Sequence, residues 1–219
     1  WIYSWNATGM LSSVQRPDGE LVEFEYDPLG RRIRKTFQGQ TTHWVWDGNN
    51  PLHEWVEGGS NDEPTSGITT ASQTTAKPPL QEQLVGHPPT GPPDGLELAT
   101  APKGLTTWLF DPESFAPAAK LVDGQRFSIV TDYLGTPTAM LDASGATVWS
   151  ANISIYGNLR NLAGDRQSCP FRWLGQYEDE ETGLYYNRFR YYDPEIGQYV
   201  SQDPIGLAGG SAFYGYVHD

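Results

Sequence analysis

Tyr26-Asp27-Pro28-Leu29-Gly30-Arg31-Arg32 sets an aromatic residue before an acid, a proline and a glycine. The Asp side chain can bond the backbone ahead of it, Pro presets φ, and Gly accepts left-handed dihedrals, so the stretch reads as a tight turn closing a strand. An aromatic followed by Asn or Asp and a turn stands also at Trp5-Asn6-Ala7-Thr8-Gly9 and at Trp46-Asp47-Gly48-Asn49-Asn50, so the aromatics at 5, 26 and 46 lie 21 and 20 residues apart. Degenerate copies follow at Phe110-Asp111-Pro112 and at Tyr192-Asp193-Pro194-Glu195-Ile196-Gly197. A fixed period of that length is the mark of a repeat architecture. Each repeat holds two short strands, with the aromatic packing at a strand end and the Asp tying the turn.

The segments between the turns agree. Glu20-Leu21-Val22-Glu23-Phe24-Glu25-Tyr26, Thr41-Thr42-His43-Trp44-Val45-Trp46 and Ala146-Thr147-Val148-Trp149-Ser150-Ala151 alternate or cluster strand-forming residues, and each abuts a turn signal. Among 219 residues there are 8 Trp, 12 Tyr and 8 Phe, with 24 Gly and 17 Pro and almost no Ala-Leu-Glu-Lys block. The chain is expected to be all-β.

Composition also narrows the function. With 14 Lys+Arg against 27 Asp+Glu, a net charge of −13 and no basic cluster, nucleic acid is not an expected partner, because phosphate binding needs cations that displace counterions. No run approaches 18 apolar residues, so no membrane span is expected, and Trp1-Ile2-Tyr3-Ser4-Trp5 lacks the basic and apolar regions of a Sec signal. A single cysteine, Cys169, excludes an internal disulfide and reads as a small packed side chain. His43, His53, His87 and His218 show no ligand spacing, so neither a metal nor any other cofactor is expected.

Residues 58–104 differ in kind. They hold 8 of the 17 prolines and no Phe, Trp or Tyr, too little apolar surface to offset the entropy of ordering. The chain therefore divides into repeat hairpins over 1–57, a flexible, disordered insertion over 58–104, and a second region over 105–219. A Pro-rich ligand segment is the alternative for the insertion, but no PxxP core with a flanking Arg is present.

The Tyr26–Arg32 motif resembles the YD repeat of bacterial Rhs proteins, the C components of insecticidal Tc toxins, and animal teneurins. Asp132-Tyr133-Leu134-Gly135-Thr136-Pro137, followed by Leu141-Asp142-Ala143-Ser144-Gly145, resembles a unit near the end of the Rhs core. The run from Gly175 to Tyr216 is the most specific, with Gly183-Leu184-Tyr185-Tyr186-Asn187-Arg188-Phe189-Arg190-Tyr191-Tyr192-Asp193-Pro194 and Ser201-Gln202-Asp203-Pro204-Ile205-Gly206 at its centre. Gln198 stands where many relatives carry Arg, and Ala212 where Asn is usual. The resemblance implies hairpins spiralling into a hollow β-shell that encloses a toxic C-terminal polypeptide, with this chain as the last part of the wall and the segment that closes it. The implied partners are the preceding YD repeats, the enclosed toxin, and secretion machinery or a chaperone. Assembly in the bacterial cytoplasm followed by export or injection, by type VI secretion for Rhs proteins, is implied likewise.

The same resemblance implies self-cleavage at an aspartyl-protease-like site, with Arg190 and Asp203 as its residues here and a further Asp in a downstream D-P-x-G-L motif. Two carboxylates forced together share a proton, so one acts as acid while the other activates water, and a guanidinium would fix one of them charged. No further copy of that motif follows Asp203-Pro204-Ile205-Gly206-Leu207 within the 219 residues, so this chain alone is expected to be inactive. Other readings of these residues stay open. Asp193-Pro194 and Asp203-Pro204 could be turn caps only, and Arg188 and Arg190 could pair with Asp179, Glu180 or Glu181 at a surface. The acids at 178–181 read as a solvated turn face rather than a glycosidase pair. The −13 charge is expected mainly on the outer face of the wall. A surface-displayed YD-repeat module binding glycans or proteins through its aromatics is the alternative function.

Overall fold

Strand-forming runs separated by Asp/Gly turns can only fold back and forth, and the computed structural model, which describes residues 1–58, 101–201 and Tyr214, does this throughout. Twelve strands form one antiparallel meander in which each pairs with its sequence neighbours. They are β1 (Ile2–Trp5), β2 (Leu11–Gln15), β3 (Leu21–Tyr26), β4 (Arg32–Phe37), β5 (Gln40–Asp47), β6 (Asn50–Glu57), β7 (Thr106–Phe110), β8 (Pro117–Val122), β9 (Gln125–Thr131), β10 (Pro137–Leu141), β11 (Thr147–Ile153) and β12 (Leu159–Ala163). After a short 3-10 turn at Arg166–Ser168, a smaller antiparallel sheet follows: β13 (Tyr177–Asp179), β14 (Leu184–Asn187), β15 (Arg190–Asp193) and β16 (Gln198–Tyr199). The all-β expectation holds, and the three runs singled out from sequence are β3, β5 and β11. No helix among the described residues is long and apolar enough to cross a membrane.

The turn chemistry explains the period. At Asp27 the backbone N–H donates to Arg31 O (2.9 Å), Gly30 N–H donates to Asp27 O (2.9 Å), and Oδ1 accepts from the Leu29 and Arg31 amides (2.9 Å each). The same closure recurs at Asn6, Asp132 and Asp142, and at Ser154 with a hydroxyl in the carboxylate's place. Burial alone would raise the Asp27 carboxyl, but bonds from the Arg31 amide and guanidinium and the Leu29 amide hold it below its usual range. In a meander, alternate turns share a rim, so one repeat is a full out-and-back hairpin. The turns at Asn6, Asp27, Asp111, Asp132 and Ser154 therefore lie along one rim of the wall.

One face of the wall is covered. Along β3, Val22 and Phe24 are buried while Leu21, Glu23 and Glu25 are exposed, the period-2 pattern of a half-covered strand. Leu11, Val14, Val22 and Phe24 pack on Leu184, Tyr186 and Tyr191 of the small sheet. A second core gathers Trp108, Ile129, Met140, Trp149 and Ala151 under Cys169 and Phe171. Cys169 is fully buried, and burial pushes its thiol up to about 11, which suits a packed and unreactive side chain.

One expectation is narrowed and another corrected. Among the described residues the acidic charge is not spread evenly over the wall: Glu23 and Glu25 are exposed on β3, while β7 to β12 contain no Asp or Glu at all. Much of it sits in turns, at positions such as Asp27, Asp132 and Asp142, where a carboxylate satisfies backbone amides. Nor do the acids at 178–181 make a solvated face, since Glu178 is 5% and Asp179 0% exposed. The sequence shows four adjacent acids but not the cations that await them on the wall.

β6 pairs directly with β7 (His53↔Thr107, Glu54↔Thr106), so residues 58–104 are spliced between two neighbouring strands of one continuous sheet. The expected disorder of that insertion falls, save at its edges, outside the described residues.

Candidate functional site

The site is the junction where the 166–199 segment lies on the covered face of the wall. Strand register builds the wall side: Phe24 stands opposite Lys35 and Tyr26 opposite Arg32, which puts two cations on an otherwise apolar face. The Arg32 guanidinium, 1% exposed, bonds Asp179 and sits over Trp44 (4.3 Å), Tyr186 (4.6 Å), Tyr177 (5.4 Å) and Phe24 (5.6 Å). Burial alone would lower its proton affinity, but the neighbouring Asp179 carboxylate drives it up and keeps the group charged. Lys35 Nζ reaches Asp179 (3.2 Å) and Glu181 (2.7 Å), and Arg16 donates to Glu181 O (2.8 Å).

A second ionic cluster ties the segment to itself. Glu178 accepts from Arg166 Nε (2.9 Å) and from Arg172, which also donates to Cys169 O (2.9 Å) and Phe171 O (2.6 Å). Around these lie bonds between tyrosines and the wall. Tyr177 and Trp44 both donate to Glu54 (2.9 and 3.1 Å), Tyr26 donates to Leu11 O (2.7 Å) and meets Tyr191 hydroxyl to hydroxyl (2.9 Å). Tyr185 donates to Gly157 O (2.9 Å) and Tyr192 to Tyr156 O (3.1 Å), so the rim is held as well. Burial raises the Tyr185 and Tyr186 hydroxyls to about 12 against the opposing pull of nearby arginines, and it raises Tyr177 and Tyr191 well above the ordinary phenol value. These phenols remain neutral donors.

Turn glycines receive the small sheet. A Cβ on Gly30 (φ +75) would come within 2.5 Å of the Phe189 ring, and one on Gly135 (φ +81) within 2.6 Å of Leu174. In exchange, Tyr156 from the rim covers Gly197.

Arg190 opens β15, with its guanidinium 3.6 Å from the centre of the Tyr199 ring, beyond the turn that Gly197 N–H closes onto Asp193 O (2.9 Å). Asp203 lies outside the described residues. Neither Arg188 nor Arg190 pairs with the acids of 178–181: Arg32 and Lys35 hold Asp179, Lys35 holds Glu181, and Gln167 donates to Glu180. Sequence reasoning missed Arg32, Lys35 and Glu54. For Lys35 and Glu54 a signal was present, a charge at a strand position whose parity matches Phe24 and Trp44 and should be apolar; Arg32, three residues before Lys35, has the opposite parity and reaches that face only through the irregular register opposite Tyr26. Among the described residues no group of three His, Cys, Asp or Glu could hold a metal.

With this geometry in view, the likenesses to known proteins are informative. A family model for the RHS protein matches residues 128–163, and one for the RHS Repeat matches residues 5–41. The chain is 36% identical over 210 residues to toxin protein Tse5 of Pseudomonas aeruginosa, covering 91% of this chain and 15% of that protein. It is 32% identical over 214 residues to double-stranded DNA deaminase toxin A of Burkholderia cenocepacia, covering 89% of this chain and 13% of that one. The chain thus spans about one seventh of the length of these relatives. The crystal structure of TcdB2-TccC3-TEV shares the fold at a TM-score of 0.62 and 21% identity, over 97% of this chain and 9% of that one.

Proposed function

The chain belongs to the Rhs family of YD-repeat proteins, and on that footing we propose that it forms the closing part of a toxin shell, which encloses a C-terminal toxic polypeptide and takes part in releasing it. The observation that carries this reading is the inward-docked 166–199 segment. A buried Asp179 paired to Arg32 and Lys35 fixes it on the one covered face of the wall. A wall whose last segment is bolted to its own inner surface suits closure better than display, because the aromatics a surface glycan binder would use are largely in the core.

In the release step, Arg190 and Asp203 serve an aspartyl-type cleavage of the parent protein. The 190–199 hairpin already turns the chain back beside Arg190, and a guanidinium there holds a carboxylate charged while a second acid carries the proton. The partners are the preceding repeats and the enclosed polypeptide. The route is assembly inside the bacterium, then injection through a type VI apparatus. In the full-length parent, Asp203→Asn is expected to leave the shell folded and abolish the split into two bands on a denaturing gel. A mutant that still splits removes Asp203 from the mechanism.

A further inference from the structure

Two residues that flank strands of the small sheet sit where they cost the fold stability. Gln176 is 1% exposed, and among the described residues neither its Oε1 nor its Nε2 has a hydrogen-bond partner, although buried polar atoms almost always find one. Its backbone cannot relax away, because Arg172 N–H donates to Gln176 O (3.2 Å) and Gln176 N–H to Trp173 O (2.9 Å). Arg188 has φ +57 at the tip of the Asn187–Arg190 hairpin, a dihedral that suits Asn or Gly and strains a long side chain.

The two residues line adjoining spaces. Gln176 borders a cavity of about 30 Å³, room for a water or one small polar head group. That cavity shares Trp46, Asn49, Phe115, Leu174, Gly175 and Tyr186 with an open cleft of about 530 Å³, which Arg188 lines. In a chain of net charge −13, the lining of the cleft contains no Asp or Glu. The Arg188 guanidinium rests on neutral oxygens, Asn49 Oδ1 and Leu29 O (3.3 Å), so no carboxylate among its partners offsets its charge. A sugar is a poor fit, since Arg190 already covers the Tyr199 ring (3.6 Å) and Arg188 the Phe189 ring (5.0 Å), leaving those faces unavailable for stacking.

We propose that this cleft binds an extended acidic stretch of the enclosed polypeptide. Arg188 pairs with a carboxylate, and the Gln176 amide offers one donor and one acceptor to a small polar group at the floor. This rests on the shell reading above and adds a cargo-holding site to it. The test places the photo-crosslinker p-benzoylphenylalanine at Phe115, a half-exposed residue of the cleft wall, in the full-length parent, and maps the adducts by mass spectrometry. Adducts are expected on an acidic stretch of the enclosed polypeptide. Their yield should fall about tenfold in Arg188→Asn, the loss of one charge-assisted bond. That variant also relaxes the left-handed backbone and so stays folded. Gln176→Met, which removes the unpaired amide, should lower the yield in the same direction without destabilising the shell. If the polypeptide co-purifies but adducts map only to the wall, or both variants crosslink as before, the cleft is not a cargo site. A parent that purifies with no enclosed polypeptide overturns this inference and the shell reading together.

Discussion

Asp179→Asn removes one charge from the most buried ionic group of the junction and changes almost no volume. In the wild-type chain Asp179, 0% exposed, compensates Arg32 at 1% and shares Lys35 with Glu181. After the substitution Lys35 keeps Glu181, but the Arg32 guanidinium remains caged by four aromatics with no carboxylate. Removing one partner of a buried pair costs about 3–5 kcal/mol, because the remaining charge stays desolvated. That is a large share of the roughly 5–15 kcal/mol that stabilises a whole domain. At about 1.4 kcal/mol per decade, even the lower figure speeds opening more than a hundredfold. Native-state hydrogen exchange on the parent protein reads this directly. Amides of β13 to β15 should exchange at least a hundredfold faster, while those of β8 to β10 change little. Arg32→Met combined with Asp179→Leu should recover most of the loss, since no unpaired charge is left. Exchange of the 177–193 amides within a factor of about five of wild type, roughly 1 kcal/mol, would refute the claim that this pair bolts the segment down.

Gly30→Ala should cost about 1–2 kcal/mol for the left-handed backbone alone, plus whatever displacing Phe189 requires. Gly19→Ala, at φ +90 in open space, isolates the backbone part, so equal losses in denaturant unfolding would deny the Phe189 contact any role. Tyr185 and Tyr186 are raised from 10.0 to about 12 in the folded state, so their contribution is intact below pH 10 and lost as pH rises through 12. Ionisation of these two hydroxyls, read from residue-resolved tyrosine Cζ chemical shifts, should therefore coincide with loss of circular dichroism in that window, and their ionisation near pH 10 without unfolding would contradict it. β1 is a sheet edge with Trp1 55% and Ile2 62% exposed, so the chain expressed alone should self-associate in sedimentation; a well-behaved monomer would show that it needs no neighbour.

The repeat and its turns were legible because their cause is local. Asp27 and Asp142 bond amides within four residues, and Gly30 and Gly145 take the dihedrals those turns demand. The junction was not legible, because its logic is long-range. Arg32 and Asp179 are 147 residues apart, and nothing near either reveals the other. Asp179 beside Glu178, Glu180 and Glu181 looks like any hydrated acidic run until the partner cations are placed by the register of β3 with β4. The contact of Arg190 with the Tyr199 face follows from side-chain direction, which the motif that singled out Arg190 does not supply.

Protection of the C-terminal polypeptide in the intact parent bears most directly on the central claim. Trypsin added to the folded protein should leave that polypeptide whole while it degrades the same polypeptide after the shell is denatured. Digestion at equal rates in both states would mean that the wall and its docked segment enclose nothing.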